Sequence, residues 1–319
     1  MIPFIWIEQA QERIAAHVKH TPVTYDPGLN VYLKWESHQV TGSFKARGAF
    51  NKVLSLQAWE RARGIVAASA GNHGQGVALA GRIIGAPVKV FASEHAVPAK
   101  LDAMRKLGAE LHLVPGGYRE AENAGLQFAA TSNSTWVSPY NDGQVIAGQG
   151  TLVLETLADN YDLGDAAWLV PVSGGGLVSG VGAALKEKPA PGMCRLIGVQ
   201  SEASPFMYGL YHLGSQERAV ELPSLADGLA GPVEDGAITI PLVRQYVDEL
   251  ILVNETEIAH AIFYAWDKYH ERIEGSAAVP LAAILTGKVT ARPAVLVISG
   301  GNIQPEVHQK IVEGGMWKA

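Results

Sequence analysis

The chain has 319 residues, of which 48% are hydrophobic and 18% charged, and its formal net charge is −6. This composition is typical of a globular protein with one large or two modest domains, and the negative charge without a basic run argues against a nucleic-acid-binding protein. The apolar N-terminus lacks the basic region of a signal peptide, and no apolar run approaches the roughly 20 residues needed to span a bilayer.

The hydrophobic pattern predicts a helix over residues 5–18, a strand over 31–36 and a helix over 46–56. Strands and helices then alternate, in pairs at 65–69 and 72–84, 88–92 and 98–107, 110–114 and 118–132, 135–138 and 144–160, 168–172 and 177–186, and 195–201 and 205–213. A polar loop at 217–236 precedes a strand at 249–253, helices at 255–269 and 277–286, a strand at 294–298 and a helix from Pro305. Because the strands are short, apolar and β-branched, the alternation predicts a doubly wound α/β fold with parallel sheets.

A lysine stands where the first predicted strand leads into the second helix. It belongs to Gly42-Ser-Phe-Lys-Ala-Arg-Gly48, so Lys45 is expected in a helix first turn. The unpaired amides and the dipole at a helix N-terminus disfavour a charged ammonium group, and we expect them to lower the pKa of Lys45. Such a lysine can act as a nucleophile or form a Schiff base, whereas the alternative is a solvated surface lysine.

Two glycine-containing loops each join a predicted strand to a helix. They are Ser69-Ala-Gly-Asn-His-Gly-Gln-Gly76 and Ser173-Gly-Gly-Gly-Leu-Val-Ser-Gly180. Backbone N–H groups at such junctions can cradle an anion. Together with Lys45, the two loops suggest a cofactor that carries a phosphate and a substrate that carries a carboxylate.

These segments, with Ser299-Gly-Gly-Asn302, occur in an order and spacing that resemble the fold-type II pyridoxal-phosphate enzymes. The resemblance is closest to the branch of threonine/serine dehydratases and serine racemases, and it covers nearly the whole chain. It implies two doubly wound open-sheet domains with the cofactor between them. The expected large domain comprises residues 1–47 and 144–319, and the small inserted domain residues 48–143. The family also suggests a homodimer.

The resemblance assigns a role to several residues around the cofactor, pyridoxal 5'-phosphate. Lys45 is expected to form the Schiff base with it and later to remove the α-proton of the substrate. The other expected contacts are Phe44 beside the ring, the backbone amides of Gly174, Gly175, Gly176 and Leu177 at the phosphate, Asn72 at the ring hydroxyl, and Ser299 at the pyridine nitrogen. A substrate carboxylate is expected among Ser69, Ala70, Gly71 and His73.

Several of these residues also have ordinary structural interpretations. Phe44 could be a core aromatic residue, Asn72 an N-cap, His73 a structural histidine, and Ser299 a turn residue. Glu274 lies either near the site or in a surface turn. A dinucleotide-binding loop is the alternative for residues 174–180, with Glu202 imitating its ribose-binding acid, but the loop lacks G-x-G-x-x-G spacing and this alternative leaves Lys45 unexplained.

Departures from the family pattern narrow the expected activity. Ala70 stands where serine racemases have a second serine as the base on the opposite face, which favours a dehydratase. Gln200 follows Gly198-Val199 where metal-binding members have an acidic residue, and the histidines have no metal-ligand spacing, so we expect no metal site. A hydroxyl at Ser299 cannot keep the pyridine nitrogen protonated, which favours elimination over transamination. The chain ends soon after this segment, as in the short catabolic dehydratases.

The sequence therefore predicts a pyridoxal-phosphate lyase that converts L-threonine or L-serine to a 2-oxo acid and ammonia by α,β-elimination. Three alternatives stay open: a lyase for another β-hydroxy amino acid such as 3-hydroxyaspartate or phenylserine, a β-replacement enzyme, and a non-catalytic pyridoxal-phosphate-binding protein. The expected partner is a small amino acid, with no nucleic acid and no membrane. The single cysteine, Cys194, fits the reducing environment of the cytoplasm.

Overall fold

Two β-sheets form the framework of the computed structural model, which describes residues 1–159, 163–187 and 193–314. The strands of the larger sheet are β1 (Val23–Asp26), β2 (Val31–Trp35), β7 (Ala167–Pro171), β8 (Arg195–Ser201), β9 (Glu249–Val253) and β10 (Ala294–Ile298). Their spatial order is β1-β2-β10-β7-β8-β9. β1 pairs with β2 in the antiparallel direction, and the other neighbouring strands run parallel. The register places Val31 beside Ala294 and Trp35 beside Ile298.

The smaller sheet contains β3 (Ile65–Ala68), β4 (Val88–Ser93), β5 (Glu110–Val114) and β6 (Thr135–Trp136). These strands are parallel and lie in the order β5-β4-β3-β6. All four fall inside the segment 48–143 that was expected to form an inserted domain. The boundaries at 48 and 143 themselves stay a prediction.

Thirteen α-helices cover the two sheets in the described part of the chain. They are α1 (Phe4–Ile14), α2 (Lys45–Ser55), α3 (Ala58–Arg63), α4 (Asn72–Ile84), α5 (Pro98–Lys106), α6 (Tyr118–Ser132), α7 (Gly143–Ala158), α8 (Gly176–Lys186), α9 (Phe206–Leu213), α10 (Thr239–Tyr246), α11 (Glu255–Tyr269), α12 (Gly275–Leu285) and α13 (Pro305–Gly314). Among the described residues, no helix combines the length and the apolar character that crossing a bilayer requires.

The central strands of the larger sheet are buried on both faces. Every residue of β7 and β10 is buried, because side chains that alternate to opposite faces of the sheet meet helices on each side. Trp168 and Val170 join the core formed with α1, α7 and α8. Leu169 points to the other face and joins the core formed with α11 and α12. This is the doubly wound arrangement that the sequence predicted.

Helix α2 approaches α7 closely enough for backbone contact. A Cβ atom added to Gly148 would lie 2.7 Å from the Cα atom of Gly48, and one added to Gly48 would lie 2.6 Å from the main-chain oxygen of Val145. Glycine is therefore required on both helices at the crossing. This contact fixes the position of α2 against α7, and Lys45 is the first residue of α2.

A buried group of charged side chains, which includes Glu155 of α7, also holds the same helix. Arg47 forms ion pairs with Glu36 at 2.8 Å and with Glu155 at 2.9 Å, and Lys34 pairs with Glu155 at 2.5 Å. Lys34 also donates to the main-chain oxygen of Thr21. Because each charge has an opposite partner, the group can be buried without leaving an uncompensated ion.

Most predicted elements occur in the structure, with differences of a few residues at their ends. α1 ends at Ile14 rather than at residue 18, and the predicted end of α7 at Asn160 lies outside the described residues. The sequence analysis missed β1, α3 and α10. All three are short: β1 is an edge strand with an irregular burial pattern, and α3 has no buried residue. Hydrophobic periodicity is a weak signal in such segments.

Candidate active site

A cavity of about 600 Å³ opens between the two sheets. Its walls come from loops that follow β3 and β7, from the start of α2 and from the end of β10. In open α/β sheets, ligands bind at the carboxyl ends of the strands, and the cavity lies at such ends. The lining includes every residue that the sequence analysis assigned to pyridoxal phosphate or the substrate carboxylate: Phe44, Lys45, Ser69, Ala70, Gly71, Asn72, His73, Gly174, Gly175, Gly176, Leu177 and Ser299.

Lys45 reaches into this cavity from the first position of α2. Its Nζ atom donates a hydrogen bond to the main-chain oxygen of Pro139 at 2.9 Å and lies 5.2 Å from the centre of the Phe44 ring. Burial lowers the pKa of Lys45 from 10.5 to about 8, while the carboxyl group of Glu274 opposes this shift. The sequence analysis expected a lowered pKa from the helix N-terminus, but the principal cause is removal of the ammonium group from water.

The loop between β7 and α8 brings bare backbone to the cavity. A Cβ atom added to Gly174 would lie 2.5 Å from the ring of Tyr140, and one added to Gly176 would lie 2.8 Å from the Cβ atom of that tyrosine. Gly175 has a φ of +85°, a conformation that favours glycine. The main-chain N–H groups at the start of α8 thus belong to glycines that line the cavity, and such unpaired first-turn amides suit a phosphate or carboxylate group.

The loop between β3 and α4 lies at another part of the wall. Asn72 begins α4, but the residue before it, Gly71, is the N-cap, so the interpretation of Asn72 as an N-cap is wrong. Its Oδ1 atom accepts a hydrogen bond from Asn302 at 2.7 Å, and its Nδ2 atom donates to Glu274 at 2.8 Å. Both ends of the amide are thus held by residues more than 200 positions away in sequence.

His73 is buried, and its Nε2 atom lies 2.9 Å from the main-chain oxygen of Val137. Burial, together with the charge of Lys45, lowers its pKa to about 3, so the imidazole is neutral and Nε2 donates to that carbonyl. The Nδ1 atom is buried without a hydrogen-bond partner among the described residues. The structural interpretation of this side chain therefore fits better than a role in proton transfer.

Ser299 directly follows β10 and is 2% exposed. Its main-chain oxygen accepts a hydrogen bond from the N–H group of Phe44 at 3.0 Å, and Ser43 forms a β-bridge with Gly300. The end of β10 is thereby tied to the loop that carries Lys45. No turn is assigned at Ser299, which lies between β10 and the bridge at Gly300, so the alternative of a turn residue does not fit.

Two residues with no firm role in the sequence analysis also border the site. Glu274 is 5% exposed and lines the cavity, so the alternative of a surface turn is wrong. Burial and the charge of Asp227 raise its pKa to about 7, against the effect of Lys100. Tyr140 packs under the glycine loop, and its hydroxyl oxygen accepts from the N–H group of Glu234. The sequence analysis gave these two residues no firm role because they are far in sequence from the other residues of the cavity.

The described residues contain no cluster of three or more His, Cys, Asp or Glu side chains that could hold a metal ion. The side chain of Gln200 is used internally, since its Oε1 atom accepts from the N–H group of Tyr208 at 2.8 Å. Glu202, the residue considered as a ribose-binding acid, is exposed and does not line the cavity.

Comparison with known proteins gives concordant results. The family model for pyridoxal-phosphate dependent enzymes matches residues 14–300. An L-threonine ammonia-lyase from Thermotoga maritima is 41% identical over 100% of this chain and 80% of its own length. A catabolic L-threonine dehydratase, TdcB, from Staphylococcus aureus strain N315 is 37% identical over 97% of this chain and 92% of its own. The crystal structure of serine racemase from Dictyostelium discoideum superposes with a TM-score of 0.84 and 32% identity, covering 95% of this chain and 99% of that one.

The residues of the cavity fit pyridoxal phosphate. The bare amides before α8 offer N–H donors to a phosphate, and Lys45, with its lowered pKa, offers an amine to an aldehyde. The volume of about 600 Å³ accommodates a cofactor and a small amino acid together. The family model, the full-length relatives and the shared fold agree with this fit, and the chain belongs to the pyridoxal-phosphate-dependent enzyme family, of fold-type II.

Proposed function

We propose that this protein is an ammonia-lyase that acts on a β-hydroxy amino acid, L-threonine or L-serine. It removes the α-proton and the β-hydroxyl group, and hydrolysis of the resulting unsaturated amine gives a 2-oxo acid and ammonia. The observation that carries the proposal is that Lys45, the glycine loop before α8 and Ser299 line one cavity. The names of the full-length relatives, L-threonine ammonia-lyase and L-threonine dehydratase, support the choice of substrate.

Each group of residues has a role that follows from its chemistry. Bound pyridoxal phosphate supplies an electron-withdrawing ring that makes the α-proton of an attached amino acid acidic. The amides of Gly174, Gly175, Gly176 and Leu177 would hold the phosphate group. Lys45 takes up the α-proton at Nζ, which its lowered pKa allows near neutral pH because part of the population is unprotonated. Ser299 would meet the ring nitrogen with a hydroxyl group rather than a carboxylate, and this would favour elimination.

The carboxylate of the substrate is proposed to lie against the loop of Ser69, Ala70, Gly71 and His73. His73 contributes through its main chain, since its Nε2 atom is occupied by Val137 and its ring is neutral. Ala70 offers no acid or base on the face opposite Lys45, so inversion at the α-carbon has no second proton carrier there. Elimination from one enantiomer is the expected outcome.

We further propose that the enzyme works as a homodimer in the cytoplasm. One cysteine in the whole sequence supports a reducing compartment, since secreted enzymes of this size commonly carry disulfides. Light scattering coupled to size exclusion tests the dimer: a mass near twice 33.9 kDa supports it, and a mass near 33.9 kDa contradicts it.

A substrate panel tests the activity. The purified holoenzyme is incubated with L-threonine, L-serine, 3-hydroxyaspartate and phenylserine, and 2-oxo acid and ammonia are both quantified. We expect equimolar release from L-threonine or L-serine. Release only from 3-hydroxyaspartate or phenylserine would show that the enzyme is a lyase for that amino acid instead of L-threonine or L-serine. If a protein with bound cofactor released no product from any of the four, the lyase assignment would be contradicted.

A further inference from the structure

Three side chains from distant parts of the chain meet at one wall of the cavity. Asn72 begins α4 beside the smaller sheet, Glu274 precedes α12, and Asn302 follows β10 beside the larger sheet. Asn72 Nδ2 lies 2.8 Å from Glu274 Oε1, and Asn302 Nδ2 lies 2.7 Å from Asn72 Oδ1. The main-chain N–H group of Asn302 also donates to Glu274. Asn72 and Glu274 line the cavity directly.

The direction of these hydrogen bonds is set by a main-chain carbonyl group. The side-chain amide of Asn302 is 2.9 Å from the oxygen of Thr41, which can only accept, so the atom of Asn302 in that contact is the nitrogen. The same nitrogen contacts Asn72, so its second hydrogen is directed there and the atom of Asn72 that receives it is the oxygen. The amide nitrogen of Asn72 must then face Glu274, whose carboxyl oxygen accepts whether or not the group is protonated.

This chain of contacts leaves Asn72 with one N–H that no residue of the network uses. An amide without such constraints can rotate by 180° and exchange its donor for its acceptor at little cost. Here rotation would place the nitrogen of Asn72 against the nitrogen of Asn302, and its oxygen against a carboxyl group. The network therefore selects one of the two orientations.

We propose that Glu274 and Asn302 are positioning residues that hold the Asn72 amide as a hydrogen-bond donor to the ring hydroxyl oxygen of bound pyridoxal phosphate. The proposal rests on the proposed role of Asn72 in cofactor binding. A donor stabilises that oxygen in its ionised form, whereas a carbonyl oxygen in the same place would repel it. The charged groups around Glu274 are Asp227, Lys100 and Lys45, and none of them replaces the amide contact.

The substitution Asn302→Asp tests the hydrogen-bond network of Glu274, Asn72 and Asn302. It keeps the shape of the side chain at position 302 and removes both of its N–H donors. Above pH 7, where Glu274 is mostly ionised, Asn72 then lies between two carboxylates, the introduced one and that of Glu274, and neither of its orientations satisfies both ends of the amide. We expect the melting temperature of the apo-protein to fall, and pyridoxal phosphate to bind at least about tenfold more weakly, as expected for losing one hydrogen bond to a charged acceptor. The absorption band of the bound cofactor should also change position or pH dependence.

The double variant Asn302→Asp/Glu274→Gln distinguishes the direction of the Asn72 hydrogen bonds from their contribution to stability. Asn72 can now rotate, donate to the introduced carboxylate and accept from the introduced amide, so both of its contacts are restored with their direction reversed. The main-chain oxygen of Thr41 still lacks its donor. We expect the apo-protein to regain part of the stability lost in the single variant, while cofactor affinity stays at least about tenfold weaker. Recovery of both properties would overturn the proposal, because donor direction would then be irrelevant.

Asn141→Asp is the matched control. Asn141 donates to Glu234 at 2.8 Å and accepts from the N–H group of Ile238, and it does not line the cavity. This variant should lose stability without changing cofactor affinity or the absorption band. If Asn302→Asp bound pyridoxal phosphate as tightly as the wild type, the positioning role of Glu274 and Asn302 would be refuted, but not the proposed function. If the wild-type protein neither bound pyridoxal phosphate nor released a 2-oxo acid, the proposed function itself would be refuted.

Discussion

Lys45 Nζ donates a hydrogen bond to the main-chain oxygen of Pro139, 94 residues further along the chain, at 2.9 Å. Pro139 belongs to the segment that joins the smaller sheet to α7, so the lysine is tied to the boundary between the two sheets. The carbonyl also gives one N–H of the amine a hydrogen-bond partner. A lysine held in this way is oriented before any ligand arrives.

The lowered pKa of Lys45 predicts a pH-dependent cost to the stability of the apo-protein. The group titrates near 8 when folded and near 10.5 when unfolded, so the unfolded chain binds more protons between these values and stability rises with pH there. Below pH 8 the buried charge costs up to ~3 kcal/mol. Lys45→Met removes this cost, and its apo-protein should be more stable than wild type at pH 7.

Chemical denaturation of both apo-proteins from pH 7 to 10.5 measures this difference. We expect it to decline above pH 8 and to approach the pH-independent packing difference by pH 10.5. A difference that is constant across this range would show that the pKa of Lys45 is not lowered in the folded protein.

A substitution in the glycine loop between β7 and α8 is predicted to lower both stability and cofactor affinity. Gly174→Ala places a methyl group 2.5 Å from the ring of Tyr140, so either the ring or the loop must move. We expect a loss of ~1–3 kcal/mol in unfolding free energy, as for other overpacked sites. Because the displaced amides are those proposed to hold the phosphate, titration of the apo-protein should also show weaker binding of pyridoxal phosphate.

Gly314→Ala is the control for this change, since a Cβ atom at that glycine meets no described atom within 4 Å. It should leave cofactor affinity unchanged and change the unfolding free energy by at most ~1 kcal/mol, because alanine is the better helix former. Unaltered cofactor affinity in Gly174→Ala would argue that the phosphate lies elsewhere.

Substitution of Arg47 is predicted to lower stability strongly, although Arg47 does not line the cavity. Arg47→Met leaves the buried carboxylates of Glu36 and Glu155 short of a partner, and removal of one member of a buried ion pair costs ~3–5 kcal/mol. Thermal unfolding of the apo-protein measures the effect. Arg105→Met is the matched control, because Arg105 pairs with Asp102 on the surface, where such a pair contributes at most ~1 kcal/mol. Equal effects of the two substitutions would contradict the importance of the buried group.

Local sequence signals located most of the fold and much of the site. α4 and α6 have their predicted ends, since glycine or a turn brackets a clear apolar period. Lys45 was singled out because it stands at the start of a predicted helix, in a motif bounded by glycines, whereas Ser299 was assigned through the family resemblance. Physical reasoning on such junctions needs only neighbouring residues, and the family resemblance then assigned the cofactor.

Contacts between distant segments were beyond the sequence analysis. Nothing near Glu274 in sequence shows that it will face Asn72, because that contact depends on how the two sheets are placed. The cause of the lowered pKa of Lys45 was missed for the same reason, since burial is a property of the assembled cavity. Arg47 lies two residues after Lys45, yet its partners Glu36 and Glu155 come from segments that only tertiary packing brings together.

The most direct test of the account is the site of covalent attachment. The holoenzyme is reduced with borohydride, digested, and its peptides are mapped by mass spectrometry, with Lys52→Ala as a control variant from the same helix, where Lys52 pairs with Asp142. We predict one pyridoxyl-modified residue, Lys45, in both wild type and the control, and none in Lys45→Ala. Modification of another lysine in the wild-type protein, or no modification of a protein with bound cofactor, would contradict the central claim.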